Sequence, residues 1–96
     1  MRNPLTLAAF ADWLDTQPPR KKYNYLDNDR CLICQYLDFL GIAYWYVGDR
    51  EWFDRDGNRH PLPEGFNAVS SAEDAEGNIG PWTFGAAAKR ARARAA

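Results

Sequence analysis

Ile42-Ala43-Tyr44-Trp45-Tyr46-Val47-Gly48, then Glu51-Trp52-Phe53-Asp54, Asp56-Gly57-Asn58 and Arg59-His60-Pro61, is the stretch that decides the fold. The first run is β-branched and aromatic and closes on glycine, the signature of a strand. Alternation puts Ile42, Tyr44 and Tyr46 on one face and Ala43, Trp45 and Val47 on the other. Glu51-Trp52-Phe53-Asp54 predicts a second strand. Asp56-Gly57-Asn58 is a turn signal, so Arg59-His60 returns as a short third strand before Pro61. The result is a small antiparallel meander.

Helices flank it on both sides in sequence. Leu5 to Thr16 places Leu7, Phe10, Ala11 and Leu14 on one helical face. Thr6 is its expected N-cap, and Pro18-Pro19 its stop. Tyr23 to Leu26 reads as extended, an edge strand. Asp27-Asn28-Asp29 offers caps for a second helix from Arg30 to Leu40. That helix is apolar all round and is therefore expected to be central and covered. Gly41 is its expected C′ residue. Leu62 to Val69 reads as a helical turn, and 70–80 as a polar loop. Thr83 is expected to cap a last helix running from Phe84 into an Ala/Arg tail. The fold class is α+β: one small domain over 1–96, three to four helices around a short meander, with 88–96 a fraying basic helical tail.

Ninety-six residues suffice for one modest core. Fourteen large rings, four Trp, five Tyr and five Phe, exceed what such a core hides completely, so some should reach the surface. Net charge is −1, but Lys89, Arg90, Arg92 and Arg94 lie in a tail free of acids, leaving eight bases against thirteen acids in the remainder. An acidic body argues against a dedicated nucleic-acid binder. An apolar run of membrane-spanning length is missing, the first residues are not expected to act as a secretory leader because Asp12 and Asp15 interrupt them, and two cysteines are too few for a secreted disulfide scaffold. The expected compartment is the cytoplasm.

Several motifs invite a chemical reading. Cys31-Leu32-Ile33-Cys34 has the spacing of thiol–disulfide enzymes, in which a helix N-terminus lowers a thiol pKa. Asp27 and Asp29 oppose thiolate formation, and two small residues packing a central helix account for the pair. Zinc would need about four ligands, and Cys31, Cys34 and His60 supply three. Asp54-Arg55-Asp56-Gly57-Asn58 begins like a calcium loop, but Arg59 and Gly65 stand where its glycine and glutamate belong, so it reads as a hairpin turn. His60 is the single histidine. Ser70 and Ser71 lack a nucleophile-elbow pattern, there is no P-loop or GxGxxG, and Asp49 and Glu51 read as solvated carboxylates. The chain is therefore expected not to be an enzyme, with no cofactor and no metal.

Tyr23-Asn24-Tyr25-Leu26-Asp27, Cys31 with Gln35-Tyr36-Leu37, Gly41 and Thr83-Phe84-Gly85-Ala86 together resemble strings in small proteins of phage and bacterial genomes. The resemblance implies a phage-encoded accessory protein, of the kind that binds and blocks a host defence complex, as anti-CRISPR proteins do. It implies no catalytic residue. The meander supplies the candidate contact surface: Tyr44, Trp45, Tyr46, Arg50, Glu51 and Trp52. If helices cover one sheet face, the other is an exposed aromatic patch fit for a host protein. Alternative readings are a nucleic-acid-associated protein using the basic tail, or a small CxxC redox or metal protein.

Overall fold

The computed structural model describes residues 3–24, 31–48, 50–71 and 80–95. Within them the chain is a small α+β domain of four helices and a three-stranded antiparallel sheet. The elements are α1 (Leu7–Asp15), α2 (Leu32–Phe39), β1 (Tyr44–Val47), β2 (Glu51–Asp54), β3 (Arg59–Pro61), α3 (Phe66–Ser71) and α4 (Phe84–Ala95). The sheet runs β1-β2-β3. The expected caps Asp27-Asn28-Asp29, the expected strand residues Tyr25 and Leu26, and most of the expected polar loop lie outside the described residues.

Local chemistry explains most helix ends. The Thr6 hydroxyl accepts from the Ala9 amide at 3.2 Å and starts α1. Thr83 does the same for Ala86 at 3.2 Å and starts α4. α2 stops at Gly41, whose φ of 74° is the left-handed conformation that reverses a chain. There the Gly41 amide donates to Asp38 O at 3.1 Å and the Ile42 amide to Leu37 O at 3.0 Å, a Schellman pair.

α2 begins differently from expectation. Its N-cap is Cys31, whose Sγ accepts from the Cys34 amide at 3.1 Å. α2 is also not covered all round: Leu32, Ile33, Cys34, Tyr36 and Leu37 are buried, but Phe39 is 65% exposed. Before it, Lys22 and Thr83 form one antiparallel bridge, and Tyr23 and Asn24, the described part of the expected edge strand, lie in no strand. Lys21 and Pro19 carbonyls accept the Phe84 and Gly85 amides at 2.9 Å each, satisfying donors that the first turn of α4 would leave orphaned. Gly85 is required for this approach, since a Cβ there would stand 2.9 Å from Pro19.

The core is an aromatic cluster between helices. Phe10 stacks on Phe66 with centroids 4.5 Å apart and lies 4.8 Å from Tyr36, while Trp13 meets Phe84 edge-on at 5.9 Å. α4 presents Phe84, Ala87, Ala88 and Ala91 to this cluster, all buried.

The part of the expected tail that carries Arg90 and Arg92 is docked in α4. Arg90 donates to Val69 O through Nε and Nη2 at 3.1 and 2.9 Å, to Pro81 O at 3.0 Å and to the Tyr23 hydroxyl at 2.9 Å. The Tyr23 hydroxyl in turn donates to Ser70 O at 2.7 Å. Arg92 reaches Asp12 at 2.7 Å and Asp15 through Nε at 3.0 Å, clamping α4 to α1. Alanine content suggests helix propensity; spaced as Ala87, Ala88 and Ala91, it is also a packing face.

Arg90→Ala should cost about 2 kcal/mol, because hydrogen bonds to a charged donor are worth about 1.5–3 kcal/mol and several acceptors lose their partner. Arg94, exposed near the helix end, is the control, and its replacement should leave the melting temperature unchanged. Thermal unfolding of both variants checks this; equal melting temperatures would mean that the tail is dispensable.

Candidate functional site

The two faces of the sheet differ in kind. In β2, alternation sends Trp52 inward and Phe53 outward. Residues paired across strands share a face, so Val47 and His60 lie with Trp52 on the inner side, while Tyr46 and Arg59 lie with Phe53 on the outer. In β1 the alternation breaks. Tyr44 pairs with Asp54, but Tyr46 pairs with Phe53, so Trp45 is an extra residue in a β-bulge. A regular strand would turn either Trp45 or Tyr46 inward. The bulge turns both outward, 54% and 43% exposed, and keeps Tyr44 and Val47 on the inner side.

The outcome is a triangle of rings on the solvent face. Trp45 lies 5.8 Å from Tyr46 and 6.0 Å from Phe53, and Tyr46 lies 6.2 Å from Phe53. All three pairs are tilted, between the offset-stacked and edge-on arrangements that ring quadrupoles favour. Arg59 and Glu51 flank it as an exposed ion pair at 4.0 Å. At one rim a shallow recess of about 460 Å³ is lined by Tyr46, Gly48, Arg50 and Glu51.

Of the six residues expected to form a contact surface, Trp45, Tyr46, Arg50 and Glu51 meet on this outer side. Tyr44 and Trp52 do not. Both are buried, Trp52 at 6% exposure, and their burial corrects the expectation that either could anchor a partner. Trp52 is held by His60, its cross-strand neighbour, with rings stacked 4.2 Å apart and 17° from parallel. Its Nε1 is buried with no hydrogen-bond partner. Phe53 and Arg59 join the surface although expectation left them out. The alternation of β2 could have found Phe53; nothing local announces a bulge at Trp45.

Behind the rings, Asp54 organises the β2–β3 hairpin. Its Oδ1 accepts from the Asp56 and Asn58 amides at 2.9 and 3.0 Å, and its Oδ2 is 2.9 Å from His60 Nε2. This is an Asx turn, with Gly57 at φ 85° supplying the left-handed residue. The contact with His60 first, and the Asn58 amide next, hold the Asp54 carboxyl down at about 2. The calcium-like string is thus a turn whose carboxylate is engaged by its own hairpin. Among the described residues no three His, Cys, Asp or Glu side chains gather into a metal-ligand cluster, and no helix is long and apolar enough to cross a membrane.

The two cysteines also depart from expectation. They are buried, as two packing residues would be, but their sulfurs are joined as a disulfide.

Fold and surface together define a small α+β domain whose sheet is helix-backed on one face and aromatic on the other. No family model matches the chain, and neither curated proteins nor solved structures give a match.

Two outcomes test this geometry. Trp52→Ala should cost about 3–5 kcal/mol of folding stability, as truncation of a core ring does. Trp45→Ala should cost well under that. Trp52→Phe should be milder than Trp52→Ala, since it keeps a ring in the core while removing a buried donor whose desolvation costs about 1–3 kcal/mol. Thermal melting ranks the three; Trp45→Ala as damaging as Trp52→Ala would overturn the assignment of faces.

The second outcome concerns acid. A carboxyl with a depressed folded pKa stabilises the fold above its unfolded value and loses that contribution as pH falls through the folded one. For Asp54 the window runs from the ordinary 3.8 down to about 2. The Asp54 carboxyl carbon should titrate near the bottom of that window by NMR. Asp54→Asn should remove the corresponding slope from the stability–pH curve, and an unchanged slope would assign it elsewhere.

Proposed function

We propose that this protein is a non-enzymatic binding module whose outer sheet face docks on another protein. The observation that carries the reading is the bulge at Trp45, which places two consecutive large rings in solvent beside Phe53. Trp, Tyr and Arg dominate the energetics of protein contacts, and Trp45, Tyr46, Arg50 and Arg59 supply that composition in one place. Glu51 and the two arginines give the rim both signs of charge, which orients a partner more than it tightens binding.

The partner class rests on the resemblance to phage proteins: a host protein, most naturally a component of a defence complex that the module blocks by occupying its surface. A nucleic-acid role through the basic tail is less well supported, because Arg90 and Arg92 are committed to internal partners. Lys89 and Arg94 are the other exposed cations of α4, beside Arg92, whose guanidinium is engaged by Asp12 and Asp15.

Affinity capture from host lysate with the full-length protein, followed by mass spectrometry, identifies the partner; calorimetry then measures it. Trp45→Ala and Tyr46→Ala should each weaken binding by about 2 kcal/mol or more, roughly thirtyfold in Kd, with melting temperatures nearly unchanged. Arg50→Ala should act in the same direction. Loss of binding only in variants that also lose the fold would make the face a packing surface. A salt-sensitive gel shift with duplex DNA, abolished by Lys89→Ala and Arg94→Ala, would reverse the ranking of partners.

A further inference from the structure

Away from the sheet face, the start of α2 carries chemistry that partner binding does not use. Cys31 and Cys34 are joined as a disulfide with a sequence separation of 3. A disulfide stabilises mainly by closing a loop in the unfolded chain, and the effect grows with loop length. Four residues are close to the shortest loop a bridge can close, so this bond is a poor staple. The N-cap position is unusual too. Oxygen side chains of Ser, Thr, Asp or Asn are preferred there, yet the acceptor for the Cys34 amide is the Cys31 sulfur, at 3.1 Å. That contact and the positive end of the α2 dipole both favour negative charge on Sγ of Cys31. Both cysteines are buried, Cys31 at 6% exposure and Cys34 at none, so what access the pair has lies on the Cys31 side.

We propose that Cys31 and Cys34 form a reversible thiol–disulfide couple, exchanging with dithiols through Cys31. The electrons come from a dithiol reductant, a small molecule or a protein CxxC. One reductant thiolate attacks Sγ of Cys31; the Cys31–Cys34 bond breaks, and Cys34 leaves as a thiolate and is protonated. The second reductant thiol, deprotonated, attacks the reductant's own sulfur in the mixed disulfide. This closes the reductant's disulfide and releases Cys31 as a thiolate, held by the Cys34 amide. Two electrons pass from the reductant to the protein, and its two thiol protons are accounted for by the protein and solvent. Because Sγ still accepts the Cys34 amide after reduction, the cap of α2 survives the cycle.

The test uses the full-length protein equilibrated with dithiothreitol and its oxidised form at graded ratios, quenched by alkylation and read by mass and circular dichroism. The folded protein should gain two alkyl groups as the ratio rises and lose them as it falls. Its far-ultraviolet signal should be constant and its melting temperature nearly so. In the reduced protein, Cys31 should alkylate at least about tenfold faster than Cys34, as an amide-capped thiolate at the helix start against a fully buried thiol. Cys34→Ser should trap a mixed disulfide with glutathione at Cys31. Cys31→Ser, which keeps an N-cap oxygen and so keeps the fold, should trap far less at Cys34. The couple is overturned if the pair resists reduction until the protein is denatured, if reduction unfolds it, if the thiols never pair under oxidised dithiothreitol, or if the two serine variants trap glutathione equally.

Discussion

Ala87, Ala88 and Ala91 let the backbone of α4 lie close against α1, and the rest of the structure is built on that contact. Small side chains on one helix leave room for large ones on its partner, here Phe10, Trp13 and Leu14. Once the two helices are in place, Phe84 reaches Trp13, and Arg90 is carried to the carbonyls of Val69 and Pro81 and to the Tyr23 hydroxyl. One guanidinium thereby ties together segments far apart in sequence. In a chain too short for a large core, such polar ties connect elements that share little apolar area.

What could be read from the sequence was local, and what could not was non-local. Thr6, Thr83 and Gly41 act within a few residues of themselves, through hydrogen bonds that residue type and position suffice to suggest. The Asp54–Asn58 turn is likewise self-contained, its carboxylate bonding amides two and four residues on. The docking of α4 depends instead on α1, about eighty residues earlier in the chain, so its alanines could be taken for mere helix formers. The contact surface was half legible for the same reason. Composition marks residues 44–53 as ring-rich, but which rings of β1 face solvent depends on a register shift between Tyr44 and Tyr46, and composition alone draws in Trp52, which faces inward.

The inner face of the sheet shows what that register secures. Trp52 sits between Val47 and His60 in the strand order, stacked on the imidazole, while Asp54 Oδ2 meets Nε2 of the same ring at 2.9 Å. His60 thus serves as a flat surface for the indole and as a partner for the turn carboxylate. The indole Nε1 is left without an acceptor. That residual cost is tolerated because the ring's apolar area is large, roughly 150–250 Å² for an aromatic side chain.

The same arithmetic bears on the outer face. Trp45 and Tyr46 expose about half of their surfaces, and apolar area left in water forgoes roughly 25 cal/mol per Å². Small fluctuations cannot recover it. Moving the bulge by one residue would bring Trp45 inward only by expelling a neighbour from the inner side, where Tyr44 already fills the space. Rotating the rings leaves them on the same side of the sheet. The three rings already contact one another and gain what pairwise stacking can offer. Within this fold, then, the exposed area is fixed by backbone register. Burying it takes a second surface laid over the sheet, flat enough to meet three tilted rings and bearing charges that complement Glu51, Arg50 and Arg59.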